Sequence, residues 1–245
     1  MTTDDSETLA AAWERHADDW GQWARTPGHD SYWRFHRDKF LRLIPPPGRR
    51  TLDLGCGEGR LSRDLKALGH RVTAVDRSET LARLAAEADS ELDVRVADAA
   101  RLPFEDGDFD LVVAFMSLMD MDDMAGSAHE AARVLEPGGS LVVAVVHPIN
   151  SAGTWADEDD PESPFALSES YFERRRYADS IEREGLRMTF SSIHWTFEDY
   201  VELLLRAGFE LDAVREVTDD GHLQWRRAPM FLHLRGVRGK ASQPG

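Results

Sequence analysis

Thr51-Leu52-Asp53-Leu54-Gly55-Cys56-Gly57-Glu58-Gly59 passes from a short apolar run into three alternating glycines. Leu61, Leu65 and Leu68 then recur at helical spacing, and Gly69 is the expected stop. The segment reads as a strand, a tight turn and a helix. In open α/β sheets ligands bind outside the carboxyl ends of the strands, where such turns lie. Glycine lets the backbone turn sharply and approach a ligand closely. A turn with no ligand is the plainer alternative, but three alternating glycines exceed what it requires.

Both flanks continue the alternation of strand and helix patterns. Residues 72–75 form a second strand ending at Asp76, and Ser78 can cap a helix through Leu81, Leu84 and Ala88. Strands follow at 92–97, 111–115 and 141–146, the last preceded by a helix ending at Pro137-Gly138-Gly139. Thr196 opens a helix with Asp199 three residues on, resembling a capping box, and Gly208 closes it. Two more strands span 211–217 and 230–234. Residues 111–115 and 141–146 are apolar on both faces, which puts them mid-sheet. Residues 92–96 and 211–215 alternate, which puts them toward edges. The expected fold is α/β, a doubly wound, mostly parallel sheet with helices on both faces. One domain over 1–245 is expected. It comprises a helical cap at 1–47 with Trp13, Trp20 and Trp23, a ligand-binding core at 48–147, an aromatic insertion or lid at 148–195, and a return to the core at 196–245.

The 245 residues are 42% hydrophobic and 30% charged, an ordinary globular balance. No apolar run approaches the roughly 20 residues that span a bilayer, and residues 1–9 lack the basic and apolar regions of a secretion signal. With a single cysteine, Cys56, no intrachain disulfide is available, and a cytoplasmic location is the default. The net charge of −16 repels phosphate backbones, so neither nucleic acid nor a membrane is an expected partner. Arg174-Arg175-Arg176 reads as a solvated face, and the acidic run 157–160 as a solvated loop.

Three successive strands end near a carboxylate: Asp53, Asp76 and Asp98. The dinucleotide fingerprint is G-x-G-x-x-G, whereas this loop is G-x-G-x-G after an acid. Asp53 would repel a pyrophosphate but suits a ligand carrying an ammonium and a sulfonium. Asp76 can accept from two ribose hydroxyls, and Asp98 from an exocyclic adenine amine.

The stretches L-D-L-G-C-G-E-G at 52–59, V-D at 75–76, A-D-A at 97–99, L-P-F-E-D-G-D-F-D at 102–110 and R-V-L-E-P-G-G at 133–139 together resemble class I S-adenosylmethionine-dependent methyltransferases. The likeness is to the small-molecule branch, similar to quinone-biosynthesis and natural-product enzymes. It is strong over 50–147 and weaker beyond. It implies a seven-stranded sheet of order 3-2-1-4-5-7-6 with strand 7 antiparallel. It also implies S-adenosyl-L-methionine as cofactor, with Gly55, Cys56 and Gly57 along the methionine portion and Asp53 near its amine. Asp76 and Arg77 would lie at the ribose, Asp98 and Ala99 at the adenine. Phe115 would offer its backbone carbonyl to the amine, with Met116 beside it.

Methyl transfer from a sulfonium is an in-line displacement that needs a base only for a protonated acceptor. His147, directly after the fifth strand, and His194, where the insertion ends, are the candidate bases; each also reads as a packed strand-end or loop residue. Asp120, Asp122 and Asp123 read as charge complements to a helix N-terminus. No metal-ligand spacing occurs, so no metal is expected. The expected reaction methylates an O, N or C nucleophile of a small molecule, and a homodimer is left open. A protein or RNA methyltransferase, a non-catalytic S-adenosylmethionine-binding protein and a nicotinamide dehydrogenase are the rivals.

Overall fold

The computed structural model describes residues 7–157 and 160–239. Most of the polar N-terminal stretch, Glu158 and Asp159 of the acidic run, and 240–245 lie outside the described residues.

The chain enters through α1 (Leu9–Arg15) and α2 (Ala17–Arg25). The tryptophans of the helical cap fall on two helices. His16, at φ −101° and ψ 12°, separates them. A π-helical turn at Tyr32–His36 leads into the short α3 (Arg37–Leu41), and Pro45-Pro46-Pro47 cannot extend it. The core then alternates: β1 (Thr51–Leu54), α4 (Arg60–Ala67), β2 (Val72–Asp76), α5 (Glu79–Ala88), β3 (Asp93–Val96), β4 (Phe109–Phe115), α6 (Met124–Val134) and β5 (Leu135–Val146). Pro137-Gly138-Gly139 does not end the helix as expected. It lies within β5, where the register against β4 shifts. Next come α7 (Pro148–Ala152), the hairpin β6 (Gly153–Trp155) and β7 (Phe165–Leu167), and the longer hairpin β8 (Arg175–Arg183) and β9 (Leu186–His194). The chain closes with α8 (Phe197–Arg206), β10 (Phe209–Val217) and β11 (Phe231–Arg238).

Seven strands make one sheet in the order β10-β11-β5-β4-β1-β2-β3. β1 to β5 pair in parallel, and β11 runs antiparallel to both β5 and β10. This is the expected 3-2-1-4-5-7-6 order, with the short hairpins outside the count. The doubly apolar strands β4 and β5 lie central, and the alternating strands β3 and β10 are the edges.

Alternate residues of the central strands feed two cores. Val112, Ala114, Val143 and Val145 pack with Ala131 and Val134 of α6 and Tyr200 and Leu204 of α8. Leu111, Val113, Phe115, Val142 and Ala144 pack with Tyr32, Phe40, Leu61 and Leu65 on the other face. The two-residue period of a strand divides them, so helices cover both faces and leave the strand ends open.

Thr196 and Asp199 form the complete capping box of α8. Thr196→Ala is expected to destabilise the protein by about 1 kcal/mol, measured as a lower urea midpoint. An unchanged midpoint would mean that packing alone holds this helix start.

Candidate functional site

The open strand ends lead into a cavity of about 930 Å³. Its floor begins with the glycine loop. Gly55, Gly57 and Gly59 have φ of +72°, +58° and +83°. A Cβ on Gly55 would lie 2.5 Å from Cβ of Ser117, which follows β4. The loop is thus pressed against the exit of the central strand, and Ser117 Oγ–H fastens it by donating to the Leu54 carbonyl at 2.6 Å. The Gly55 and Cys56 N–H groups both donate to the Val75 carbonyl at 2.9 Å.

Asp76 pins the other side of the loop. Its Oδ2 accepts from Gly57 N–H at 2.8 Å and its Oδ1 from Ser78 N–H at 2.9 Å. Each carboxylate oxygen retains further acceptor capacity toward the cavity. Burial pushes this carboxyl above its ordinary value, while the backbone N–H donors oppose the rise. Asp98, after β3, accepts from Ala100 N–H at 3.0 Å. Arg77 Nη1 bridges Asp98 at 3.6 Å and Asp122 at 3.4 Å.

Asp53 lies beneath the loop, 1% exposed, and accepts the Ser62 hydroxyl at 2.5 Å. Burial, with the Asp76 charge adding, pushes its carboxyl up to about 7. The folded chain therefore holds a proton that the unfolded chain releases near pH 4, and stability falls as pH rises from about 4 to 7. One pKa unit is worth about 1.4 kcal/mol. Asp53→Asn is expected to flatten this decline and to gain about 2–3 kcal/mol at pH 8 in the ligand-free protein. Urea unfolding at pH 5 and pH 8 reads it, and parallel pH profiles for both proteins would overturn the assignment.

Met116 follows β4 with φ +54°, a left-handed conformation that a non-glycine side chain rarely adopts. Its N–H donates to the Ala144 carbonyl at 2.8 Å, which carries the chain around the strand end into the cavity. Such strain tends to collect at functional turns.

The cavity wall thus brings together Asp53, Gly55, Cys56, Gly57, Asp76, Arg77, Asp98, Ala99, Phe115 and Met116. Burial pushes the Cys56 thiol well up, so it is a small packed residue rather than a nucleophile. A glycine loop held too close to Ser117, Trp20 and Ala85 for side chains, beside these carboxylates, fits a cationic nucleoside such as S-adenosylmethionine.

Neither candidate histidine reaches the cavity. His147 is 3% exposed and caps α7. Its Nδ1 accepts from Ile149 N–H at 3.1 Å, so Nε2 carries the proton and donates to Glu216 at 3.2 Å. His194 donates from Nε2 to the Tyr171 carbonyl at 2.9 Å, leaving Nδ1 to accept the Ser151 hydroxyl at 2.7 Å. With both nitrogens engaged and burial lowering both pKa values, His147 ties the start of the insertion to β10 and His194 braces the insertion internally. The expectation of a basic role gives way to a structural one.

Other expectations also change. Only Asp123 caps α6, accepting from Gly126 N–H at 2.8 Å. Asp122 instead accepts Leu9 N–H at 2.8 Å and lies 3.5 Å from Arg176, and Asp120 faces the cavity. The arginine triplet is not simply solvated. Arg174 stacks 3.7 Å from the Trp195 ring centre, and Arg175 donates to the Ser151 carbonyl at 2.6 Å.

Sequence reasoning gave no cavity role to Asp30, Arg60, Asp120, Tyr177 or Ser192, all of which line the cavity. Arg60 pairs with Asp30 and stacks 4.7 Å from both the Trp20 and Tyr32 rings. Its place directly after the glycine loop was the available signal. Trp13, Trp20 and Trp23 each meet Phe190 of β9 edge-on, at 6.5, 5.9 and 6.2 Å. Glu14 of α1 accepts the Thr80 hydroxyl at 2.6 Å and that of Ser78. The entering helices and the β8–β9 hairpin therefore meet over the glycine loop.

Residues 52–143 match the model of a methyltransferase domain. A ubiquinone biosynthesis O-methyltransferase of Caulobacter sp. (strain K31) is 40% identical over 119 residues, 46% of this chain and 47% of that one. A demethylmenaquinone methyltransferase of Mycolicibacterium gilvum (strain PYR-GCK) is 37% identical over 116 residues, 47% of this chain and 49% of that protein. The chain thus spans about half the length of these curated relatives. The crystal structure of an S-adenosylmethionine-dependent methyltransferase from Mesorhizobium loti superposes with a TM-score of 0.68 at 24% identity, covering 85% of this chain and 98% of that one. Strand order and matched sequence agree: residues 52–143 are similar to a methyltransferase domain, and the chain shares the fold of an S-adenosylmethionine-dependent methyltransferase.

Proposed function

We propose that this chain binds S-adenosylmethionine at the glycine cradle and transfers its methyl group to an O, N or C nucleophile of a small molecule. The observation that carries this reading is the set of carboxylates Asp53, Asp76 and Asp98 converging on one glycine-floored cavity. Asp76 would receive the ribose hydroxyls, Asp98 and Ala99 the adenine, and Asp53 with the Phe115 carbonyl the ammonium. When bound, the sulfonium supplies the electrophilic methyl. The chain's own residues then orient the acceptor, keep water out and handle its proton.

The cavity volume exceeds what one nucleoside fills, and the remainder is walled by Trp13, Trp20, Trp23, Phe35, Phe190 and Phe231. Aromatic walls favour an apolar or aromatic acceptor. The names of the curated relatives, which act in ubiquinone biosynthesis or on demethylmenaquinone, support the same class. The net charge of −16 supports a small molecule over RNA. Among the described residues no helix is long and apolar enough to cross a membrane. A cytoplasmic location, a homodimer and a lid role for 148–195 belong to this reading.

Calorimetry with S-adenosylhomocysteine and with NAD tests the cofactor assignment. Binding of the first and not the second is expected. Affinity for NAD alone would sink the reading, and S-adenosylhomocysteine formation with an added hydroquinone distinguishes an enzyme from a binder.

A further inference from the structure

The acceptor side of the cavity ends in a polar cluster that the cofactor does not require. Asp120 closes a 3-10 turn, Leu118–Asp120, shortly after β4. Its Oδ1 accepts the hydroxyl of Ser192 on β9. Tyr177, the cross-strand partner of Ser192 on β8, lies against that serine and within reach of the Asp120 charge. Asp120, Tyr177 and Ser192 all line the cavity, and Tyr200 of α8 stands behind them.

No cation balances Asp120 among the described residues. The groups facing it are the Ser192 hydroxyl and the phenols of Tyr177 and Tyr200. Arg175, on the same hairpin as Tyr177, spends its guanidinium on the Ser151 and Ser170 carbonyls. A carboxyl set in a pocket without a counter-ion weakens the fold unless something uses it. Burial also pushes it well above the carboxylate range. A group so displaced is poorly matched to a permanent cation and well matched to a hydroxyl donor. The aromatic cluster of Trp13, Trp20 and Phe190 borders the same cavity and offers ring faces and edges to a planar molecule.

We propose that Asp120 is the proton acceptor for a hydroxyl on an aromatic methyl acceptor, with Ser192 as its positioning residue. This deepens the methyltransferase reading and rests on it. In the step, the acceptor O–H bond breaks and its proton passes to the ionised Asp120 carboxylate. The oxygen electron pair forms the new O–CH3 bond. The S–CH3 bond breaks with its pair left on sulfur, so the sulfonium becomes a neutral thioether. Asp120 then releases its proton to water.

The test uses 2-naphthol, a phenol that on excitation surrenders its proton to bulk water or to a base within hydrogen-bond reach, so that in a site closed to bulk water its naphtholate emission reports a neighbouring base. It is titrated at pH 8 into the full-length protein saturated with S-adenosylhomocysteine, and the bound emission is read. Wild type is expected to show the naphtholate band, and Asp120→Asn to lose it while still binding the probe. Ser192→Ala is expected to keep the band but to shift its appearance to higher pH, because the Ser192 hydrogen bond lowers the Asp120 pKa. If Asp120→Asn fails to fold, the Ser192→Ala shift decides. A naphtholate band undiminished in Asp120→Asn, an unshifted pH profile in Ser192→Ala, or no binding of 2-naphthol to wild type overturns the proposal. Failure of S-adenosylhomocysteine to bind instead counts against the methyltransferase reading, and the probe emission is then read on the ligand-free protein.

Discussion

Asp76→Ala is expected to weaken S-adenosylhomocysteine binding by about 1–3 kcal/mol and to destabilise the ligand-free protein by about 3–5 kcal/mol. The two effects have separate origins. Hydrogen bonds from the ribose to a charged acceptor contribute the first. The second arises because Asp76 already receives the N–H groups of Gly57 and Ser78. Hydrogen bonds to a charged group are worth roughly 1.5–3 kcal/mol each, and removal strands both donors in a half-buried turn. Calorimetric titration reads binding, and urea denaturation without ligand reads stability. Stability lost with affinity intact would keep Asp76 as a loop clamp and end its assignment to the ribose.

Arg60→Ala is expected to destabilise the fold by roughly 3–5 kcal/mol, the usual result of deleting one partner of a buried ion pair. Both side chains of the Arg60–Asp30 pair are 8% exposed. Asp30 Oδ1 also accepts Tyr32 N–H at 2.9 Å, so the aspartate cannot turn out to water without freeing that donor. The guanidinium further fills the space between the Trp20 and Tyr32 rings. Replacing both partners, as Arg60→Met with Asp30→Leu, should recover much of the loss, because no uncompensated charge remains. A single mutant within 1 kcal/mol of wild type in urea denaturation would show that water reaches the pair.

The sheet was legible because its signals are local. Leu141 to Val146 is apolar on both faces and could only be central, while Leu92-Asp93-Val94-Arg95 alternates and could only lie near an edge. The carboxylates at the ends of β1 to β3 were equally readable, since strand ends and glycine turns have local signatures. His147 misled for a related reason. Its position at the end of β5 suggested the cavity, but the direction of a strand-end side chain depends on what packs there. Glu216, 69 residues later, decided it. Asp120 was hidden because its partners, Tyr177 and Ser192, lie on a hairpin whose docking no local pattern encodes. Pro137-Gly138-Gly139 shows the complementary error. Punctuation residues normally end elements, yet pairing with β4 on both sides carried them into a strand.

The joint between the entering helices and the glycine loop would set a clock on a molecule that binds there. Trp20 Nε1 stands 3.2 Å from where a Gly57 Cβ would be, and Glu14 and Asp122 fasten α1 to the segments that follow β2 and β4. On the proposed reading, a nucleoside held at the glycine loop would leave only as often as that seam parts. Loosening it at Glu14, which reaches the ribose carboxylate only through Ser78, would shorten the dwell time of the spent nucleoside.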